Sequence, residues 1–321
     1  MTTSMQEMGT VVRDGGIWAI AAYFNPAGYR RRRENFRHFR ERLSIPLLVV
    51  ELGFNGFELG PGDADIVLQT AIGDVMWQKE RLLNVGLTAL PATCRHVAWI
   101  DSDIIFERPD WWEQALAALG DVPVVQLFGH LNLMPAGASP DDLRVGSGEA
   151  RLEALSRAVR SGKSARQCLS AVRTASAHAY SASPAWAIRR DVLEAFGFYD
   201  ACVVGGGDSA LVAAFHGLFD FVIDRHRMGE ARAEHYLAWA RPVAEAIAGN
   251  IGVIEGDAFH LWHGRIDDRQ YAQRHVDFSQ FGFDPYRDIA VSEGGAWRWS
   301  STKPAMHAYV ASYFESRRED G

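Results

Sequence analysis

Two acidic side chains, Asp101 and Asp103, stand one residue apart directly after the apolar run 97–100. Carboxylates this close repel each other unless a cation lies between them, and hard divalent cations prefer oxygen ligands. A loop at a strand end would let both side chains turn toward one ion. The alternative is helix capping, since aspartate often precedes a first helical turn, but Asp110 or Glu107 is the better cap for the helix that follows. The pair is therefore a candidate site for Mn²⁺ or Mg²⁺.

Two histidines, His260 and His263, form a second candidate metal-binding pair far along the chain. Imidazole is a common ligand of transition metals. Residues three apart point to different faces of a straight strand, but they can converge where a strand ends and the chain turns. Taken alone, such a pattern is more often a structural pair. Together with the aspartates it indicates a mixed oxygen and nitrogen site, which suits Mn²⁺ better than Mg²⁺ or Zn²⁺.

Three glycines precede an acid in the stretch Gly205, Gly206, Gly207 and Asp208. Glycines let a backbone approach a ligand closely. They deliver the carboxylate of Asp208 to a predicted helix N-terminus, where the helix dipole favours its ionised form. Such a group suits the role of a base for a hydroxyl, and an ordinary N-cap is the alternative. As a phosphate-binding loop the stretch lacks both Gly-Lys-Ser/Thr and a full Gly-x-Gly-x-x-Gly.

A polar stripe, formed by Gln78, Arg81 and Asn84 at a spacing of three, lies on the predicted helix before the aspartate pair. Arginine can pair with phosphate, and asparagine can bond a ribose or a base edge. The alternative is a solvated helix face. The arginine run 30–33 indicates an exposed basic face, with attraction to anionic lipid or to the phosphate of a substrate carrier as the alternative.

The elements that would position these groups alternate between strand and helix. Amphipathic spacing predicts helices at 30–43 and 75–90. Such alternation predicts an α/β fold, Rossmann-like, with a mostly parallel sheet sandwiched by helices. In these sheets ligands bind beyond the carboxyl ends of the strands, where the aspartate pair is expected. Short apolar runs predict the buried strands, at 16–24, 46–52, 64–70, 96–101 and 122–128.

The second part of the chain predicts further elements of the same domain. Residues 131–180, rich in Ala, Ser, Gly and Arg, predict an inserted helical and loop lobe or lid, with a helix at 149–162. A strand running into a helix is predicted at 183–200, and a glycine turn feeding a helix at 205–219. A strand ending in the two histidines is predicted at 251–264. The sequence shows no internal repeat and no linker composition, so we expect one domain over residues 1–321.

Composition excludes several classes of function. The chain has 321 residues, 48% of them hydrophobic, and a formal net charge of −7. This balance disfavours nucleic-acid binding, which depends on many contacts from Lys and Arg to phosphate. Three cysteines without metal-binding spacing suggest a reducing compartment. No apolar signal core and no run of about 18 apolar residues occurs, so we expect a cytoplasmic protein with no transmembrane segment.

The ordered set of motifs resembles metal-dependent GT-A glycosyltransferases of the broad family-2-like class. The motifs are WQKERLLNVGLTALP, AWIDSDIIF, AWAIRRDVLEAFGFYD, VVGGGDSALV and HLWHG, and they cover roughly residues 16–264. The resemblance implies a GT-A fold with a nucleotide-sugar-binding half at 16–130 and an acceptor and catalytic half at 181–264. The lobe at 131–180 lies between them, and a C-terminal extension at 265–321 follows.

The resemblance implies a metal site and a base. Asp101, Asp103 and His263, assisted by His260, would hold Mn²⁺ or Mg²⁺ against the diphosphate of a UDP- or GDP-linked sugar. The glycine stretch is similar to the Gly-Gly-Glu-Asp of inverting galactosyl- and N-acetylgalactosaminyltransferases, whose acid is the base. Asp208 would take that role here. Gly207 stands where those enzymes often have glutamate.

Other residues are assigned to the two substrates under the same reading. The acceptor hydroxyl would belong to a glycan, a lipid-linked sugar or a small molecule. Gly206 and Gly207 would contact this acceptor. The remaining assignments are Tyr23, Asn25 and Glu51 to the nucleoside pocket, Gln78, Arg81, Asn84, Arg265 and Arg269 to the rest of the donor, and Tyr180, Trp186 and Trp262 to stacking on sugar faces.

Two other classes of protein remain open. A haloacid-dehalogenase-type phosphatase would use Asp101 as a nucleophile, but it would want an Asp where Val212 stands and its Asp pair after the first strand. A non-catalytic nucleotide- or sugar-binding module on the same fold would keep Tyr23 and lose its metal-binding residues. Both pairs of candidate metal ligands are present, which favours the enzyme.

Overall fold

The computed structural model describes residues 16–171 and 180–321. In chain order the strands of this part are β1 Ile17–Phe24, β2 Leu47–Leu52, β3 Ile66–Thr70, β4 His96–Ile100, β5 Ile104–Phe106, β6 Val124–Gln126, β7 His130–Leu133, β8 Ala150–Ala154, β9 Tyr180–Ser181, β10 Ala185–Arg189, β11 Ile251–Val253, β12 Asp257–His260, β13 Ile289–Val291 and β14 Trp297–Trp299. The α-helices are α1 Arg30–Arg42, α2 Lys79–Leu87, α3 Trp111–Leu119, α4 Leu155–Arg160, α5 Ala165–Ala171, α6 Arg190–Phe196, α7 Gly207–Phe215, α8 Phe219–Arg225, α9 Glu230–Ile247, α10 Gln273–Ser279, α11 Pro285–Asp288 and α12 Pro304–Ser316.

A seven-stranded sheet forms the centre of the fold, in the order β11-β6-β10-β4-β1-β2-β3. Strand β10 is antiparallel to both of its neighbours, and the other six strands run in one direction. The predicted α/β class, with a mostly parallel sheet between helices, is confirmed. The five predicted strands are present as β1, β2, β3, β4 and β6, each within a few residues of its expected ends.

Helices cover both faces of this sheet because its strands are apolar on both sides. In β2, Leu48 and Val50 belong to one buried cluster, and Leu47 and Val49 belong to the opposite one. The first cluster is completed by residues of α2, α6, α7 and α9, and the second by residues of α1 and α3. Such two-sided burial explains the continuous apolar runs in the sequence.

A second sheet, in the order β5-β12-β7-β8-β9, lies beyond the carboxyl end of β4. Residues 131–180 were expected to form an inserted lobe, and the structure gives them a different arrangement. The strands β7, β8 and β9 join β12 and β5 in this sheet, and the helices α4 and α5 follow β8. Residues 172–179 lie outside the described part of the chain.

Two local expectations need correction. The helix predicted at 149–162 begins as strand β8, and only Leu155–Arg160 is helical. The single strand predicted at 251–264 is two strands, since β11 pairs with β6 in the central sheet and β12 pairs with β5 and β7 in the second. The chain changes sheets between them, at a glycine with φ of +107°, Gly256.

The C-terminal region folds back onto the first half of the chain. Phe314 of α12 stacks on Trp77 with ring centroids 6.3 Å apart, and the hydroxyl of Tyr29 donates to Phe314 O at 2.8 Å. Residues 317–321 therefore lie near the carboxyl end of β1, where Arg32 bonds to both Phe24 O and Glu319. In the described part of the chain, none of the helices has both the length and the hydropathy needed to cross a membrane.

Candidate active site

One cavity of about 660 Å³ lies where the two sheets meet, at the carboxyl ends of β1 and β4. This volume is typical of small-molecule sites. Its wall includes the stretches 101–103 and 206–208 and the histidine stretch 260–264, together with Leu131 and Leu133 of the second sheet. Three motifs that are far apart in sequence therefore face one space.

Strand pairing brings Asp103 to the histidines. Strand β12 runs antiparallel to β5 with His260 opposite Ile104, and the N–H of Leu261 donates to the carbonyl oxygen of Asp103 at 2.9 Å. The chain then turns after β12 and returns His263 to the same place. The two histidines converge through this turn, as the sequence had suggested for a strand end.

The three side chains form a compact group, which we call the metal trio: Asp103, His260 and His263. His263 Nε2 lies 3.1 Å from Asp103 Oδ2 and 3.1 Å from His260 Nε2. His260 Nε2 lies 3.5 Å from Asp103 Oδ1. One ligand atom from each residue lies within 4.8 Å of the other two, a spacing compatible with a shared metal ion.

The chemistry of the metal trio fits a divalent transition metal. Burial raises the pKa of Asp103, but its interactions with His260 and His263 more than offset this and hold the pKa below the usual range. Burial, followed by the charge of Arg269, lowers the pKa of His263 to about 3. At neutral pH Asp103 is therefore a carboxylate and His263 a neutral imidazole, the forms that bind metals. Asp103 Oδ1 is buried without a hydrogen-bond partner among the described residues. This is expected of an oxygen that would bind a cation.

Asp101 has a different partner from the one expected. Its Oδ1 lies 2.5 Å from Lys79 Nζ, and the same ammonium lies 2.9 Å from Asp208 Oδ1. Burial lowers the pKa of Lys79, but the charges of Asp101 and Asp208 more than offset this and raise it above its usual value. Burial raises the pKa of Asp101 to about 6, against the opposing effect of Lys79. Of the four expected metal ligands, Asp103, His260 and His263 thus lie together as the metal trio. The fourth, Asp101, is paired with Lys79 instead.

The glycine stretch places Asp208 in the cavity wall. Gly205 and Gly206 have φ of +81° and +98°, a region that side-chain-bearing residues rarely adopt. Helix α7 begins at Gly207 with Gly206 as its N-cap, so Asp208 is a first-turn residue and not the cap. A Cβ on Gly207 would lie 2.0 Å from Oε1 of Glu80. Gly207 therefore leaves space for the buried carboxyl of Glu80, whose pKa burial raises to about 8.

Five other expected site residues line the cavity. Tyr23 at the end of β1 is among them, and its hydroxyl donates to Glu58 Oε2 at 2.7 Å. Arg269 donates from Nη2 to His263 Nε2 at 2.9 Å. The others are Tyr180, Trp262 and Arg265. Arg31 lies over the ring of Trp262 at 5.7 Å.

The expected polar stripe on α2 serves a structural purpose. Gln78 is fully buried and bonds to the backbone of Asp74 and Trp297. Arg81 and Asn84 both bond to Asp200 Oδ2, at 3.2 and 2.9 Å. These three side chains tie α2 to neighbouring segments and lie away from the cavity wall, so their assignment to the donor is corrected.

Three more residues that were expected to contact the donor or a sugar contact other parts of the protein instead. Asn25 donates to Tyr29 O and to Glu58 Oε1, both at 2.9 Å. Glu51 accepts the backbone N–H of Glu58 at 2.6 Å. Trp186 is 1% exposed and stacks on Trp99 within the core. A buried ring with this contact has no face for a sugar, and the two polar side chains stabilise the loop after β2.

Several residues in the cavity wall were not expected from the sequence. Glu319 is fully buried, and its carboxylate accepts from Nε of Arg32 at 2.5 Å and from Nε of Arg317 at 2.5 Å. Its Oε1 lies 3.8 Å from Nδ1 of His263. Lys79 belongs to the WQKER motif, but the site prediction for that motif named only Gln78 and Arg81. Nothing in the spacing of the C-terminal residues points to a site, because they reach it only through the tertiary fold.

Comparisons with known proteins give similarity at a low level. No family model matches the chain, and no curated protein matches it. Glucosyl-3-phosphoglycerate synthase from Mycobacterium tuberculosis, in complex with Mn²⁺, UDP and glucosyl-3-phosphoglycerate, is 14% identical with a TM-score of 0.41, over 83% of this chain and 78% of that one. Residues 1–349 of S. aureus TarS in complex with UDP-GlcNAc are 11% identical with a TM-score of 0.40, over 94% and 72%.

Proposed function

We propose that the protein is a metal-dependent glycosyltransferase of the GT-A type. It moves a sugar from a UDP- or GDP-linked donor to the hydroxyl of a glycan, a lipid-linked sugar or a small molecule. The proposal combines the motif resemblance with the geometry of the cavity. Inversion at the anomeric carbon, the nucleotide and a cytoplasmic location are parts of this proposal.

One observation carries the proposal: the metal trio and Asp208 line the same cavity, linked through Asp101 and Lys79. A nucleotide sugar breaks at C1, and the departing diphosphate gains negative charge. A metal held by Asp103, His260 and His263 would supply Lewis-acid stabilisation of that charge, worth several kcal/mol. The reaction also needs a base near the acceptor hydroxyl, and Asp208 is the acid that the glycine stretch brings to the wall.

The residues of the chain perform the remaining tasks. Asp208 accepts the proton of the acceptor hydroxyl as that oxygen attacks C1, and Lys79 holds the Asp208 carboxylate in place through the 2.9 Å contact. Direct attack from the face opposite the diphosphate inverts the anomeric centre. Tyr180 and Trp262 offer ring faces to the sugars, and Arg265 and Arg269 offer guanidinium groups to the diphosphate.

The two alternatives are weaker on the same geometry. A phosphatase that uses Asp101 as a nucleophile has no need for two imidazoles beside the second aspartate, yet His260 and His263 both lie within 3.5 Å of Asp103. A binding module has no need for an acid placed in the cavity wall by a glycine turn. Hydrolysis of p-nitrophenyl phosphate that disappears in Asp101→Asn would support the phosphatase. Tight nucleotide binding without turnover would support the module.

The test begins with ligand binding. Thermal stability is measured with UDP, GDP, dTDP and CDP, each with and without Mn²⁺, since a ligand of the folded state raises stability by mass action. We expect UDP or GDP to stabilise the protein strongly only when Mn²⁺ is present. Turnover is then measured with the corresponding sugar nucleotides and a panel of acceptors.

Asp208→Asn tests the base. We expect transfer to fall by about 10²–10⁴-fold, with nucleotide binding retained. Asp191→Asn is the matched control, because Asp191 is also the second residue of a helix, α6, but its side chain pairs with Arg189 at the surface. Wild-type turnover in Asp208→Asn would refute the assignment.

A further inference from the structure

Arg269 makes the contact that leads to a further inference. Its Nη2 lies 2.9 Å from Nε2 of His263. A guanidinium has donors only, so His263 Nε2 accepts this hydrogen bond through its lone pair. The proton of the neutral ring is then on Nδ1, which faces Glu319 Oε1 at 3.8 Å.

The surroundings of Arg269 hold the guanidinium at this position. The residue is 7% exposed, and Nη1 donates to the hydroxyl of Tyr271 at 2.9 Å. Its backbone ends a 3₁₀ turn, Asp267–Arg269, which stops at Gln270 with φ of +46°. Its Nε is buried and has no hydrogen-bond partner among the described residues. Arg269 is thus a fixed side chain in the cavity wall with donor capacity to spare.

Metal coordination and this hydrogen bond need the same electron pair. Asp103 Oδ2 and His260 Nε2 each lie 3.1 Å from His263 Nε2, so a cation shared by the metal trio requires that nitrogen. Its single lone pair cannot serve a metal and a guanidinium together. When a metal binds, the guanidinium of Arg269 therefore has to leave Nε2, and it leaves toward the cavity that it already lines.

We propose that Arg269 couples metal binding to donor binding, because its guanidinium competes with Mn²⁺ for His263 Nε2 and is drawn away by the diphosphate of the nucleotide. The inference rests on the proposed function, since it takes the metal trio as the metal site and a nucleoside diphosphate as the ligand. A guanidinium pairs with phosphate oxygens in a bidentate, charge-assisted manner. The diphosphate is thus a better partner for Arg269 than a neutral imidazole.

The coupling is reciprocal. The nucleotide strengthens Mn²⁺ binding by the same factor as Mn²⁺ strengthens nucleotide binding. A site built this way takes up metal and donor together and binds metal weakly by itself. Removal of the guanidinium weakens the coupling, because nothing then competes for the lone pair of His263. The part of the coupling that would come from direct contact between metal and diphosphate remains.

The experiment measures Mn²⁺ affinity directly, by the EPR signal of free Mn²⁺, with no turnover involved. Titrations use the full chain with and without saturating UDP or GDP, corrected for the metal–nucleotide complex formed in the absence of protein. In the wild type we expect the nucleotide to strengthen Mn²⁺ binding by about 5–150-fold. In Arg269→Gln we expect Mn²⁺ alone to bind at least about 5-fold more tightly than in the wild type, and the nucleotide to strengthen Mn²⁺ binding by a smaller factor than in the wild type.

Arg265→Gln is the control for charge. It also removes a cation from the cavity wall, but its side chain is 76% exposed and pairs loosely with Asp267 at 3.9 Å. We expect it to bind Mn²⁺ alone as tightly as the wild type does. The comparison is made without nucleotide, because Arg265 is also assigned to the diphosphate. Arg269→Lys is a second variant in case Arg269→Gln does not fold, because it keeps the charge and loses the planar donor pair. It too is expected to bind Mn²⁺ alone more tightly than the wild type.

The outcomes separate this inference from the proposed function. If the wild type binds no Mn²⁺ with or without nucleotide, the metal site itself is refuted. If the wild type binds Mn²⁺ but the Arg269 variants bind it equally or less tightly without nucleotide, the competition is refuted and the metal site stands. An increase of equal size in Arg265→Gln would also overturn the inference, since it would show a general charge effect.

Discussion

Neighbouring aspartates in one short motif have separate partners in this protein. Asp103 lies against His260 and His263, whereas Asp101 lies 2.5 Å from the ammonium of Lys79. The motif therefore divides between a candidate metal site and a lysine that also holds Asp208. This division is a tertiary property, because Lys79 reaches the motif from the start of helix α2.

Lys79 gives the first prediction, at the scale of single residues. Lys79→Gln leaves Asp101 and Asp208 without their shared cation in a buried site. Removing one partner of a buried ion pair commonly costs about 3–5 kcal/mol, so the free energy of unfolding measured in urea is expected to fall by about 3 kcal/mol. Transfer is expected to fall as well, since Asp208 loses its anchor.

Lys163→Gln is the control for Lys79→Gln. Lys163 pairs with Glu153, but its side chain is 45% exposed, and exposed ion pairs contribute little to stability. Equal effects of the two substitutions on stability would contradict the role given to Lys79.

The sequence was enough to predict several side chains of the candidate site, but not the contacts that these side chains make. Asp103, His260, His263 and Asp208 were all expected, and the structure places them in one cavity wall. Lys79 was missed because an isolated lysine on a helix has no diagnostic spacing. The stripe of Gln78, Arg81 and Asn84 was misassigned, since periodicity shows that residues share a face but not what that face packs against.

At the scale of elements, the metal trio depends on strand register. Pairing of β12 with β5 puts His260 opposite Ile104 and so beside Asp103. A slip of one residue would turn His260 to the other face of the sheet. The sequence predicted one strand over 251–264, whereas two strands in two different sheets are present. An apolar run does not reveal which neighbour it will pair with, and Gly256 was not recognised as the point of change.

The start of helix α7 gives the second prediction. In Gly207→Ala the new Cβ would lie 2.0 Å from Glu80 Oε1, so the glycine turn or Glu80 has to move. We expect a loss of stability of about 1–3 kcal/mol, as for other overpacked sites, together with reduced transfer because Asp208 follows directly. Unfolding in urea and turnover measure the two effects.

The double variant Gly207→Ala with Glu80→Ala isolates the steric cause. Shortening residue 80 removes the atoms that the new methyl group meets, so the combined loss of stability should be smaller than the sum of the two single losses. Additive losses would show that the contact between residues 80 and 207 is not responsible.

At the scale of the whole molecule, hydrophobic periodicity was enough to predict the α/β class and the five first-half strands. It also predicted the strand that is β10, within 183–200, but not its antiparallel direction. The second sheet was missed because residues 131–180 have the composition expected of a helical and loop lobe. Hydrophobic periodicity also did not predict that the C-terminal residues line the cavity. Glu319 acquires its position only when α12 packs on Trp77 and the carboxylate meets Arg32 and Arg317.

Buried histidines set the third prediction, on the pH dependence of global stability. His226 and His275 stack with ring centroids 4.0 Å apart, and both are almost fully buried. Burial, with added repulsion from Arg232 and Arg274, holds the pKa of each well below its usual value. Below about pH 6.5 the unfolded chain gains protons that these folded histidines do not, so stability falls as pH falls.

The size of this effect follows from proton linkage. Each of the two histidines contributes a loss of about 1.4 kcal/mol per pH unit below about 6.5. In urea unfolding at pH 7.5 and pH 5.5, the wild type is expected to lose about 3 kcal/mol from this pair. His226→Gln should lose less stability between the two pH values than the wild type does. Identical pH profiles for wild type and His226→Gln would contradict this explanation.

The central claim is that Asp103, His260 and His263 hold a metal ion against the diphosphate of a nucleotide. Anomalous diffraction from Mn²⁺ in crystals grown with MnCl₂ and UDP or GDP tests it most directly, with crystals of Asp103→Ala as the control. We expect an anomalous peak at bonding distance from one oxygen of Asp103, from Nε2 of both histidines and from the diphosphate, and no peak in Asp103→Ala. A peak held by Asp101 and Asp208, or none at these three residues, would contradict the proposed metal site and the glycosyl transfer built on it.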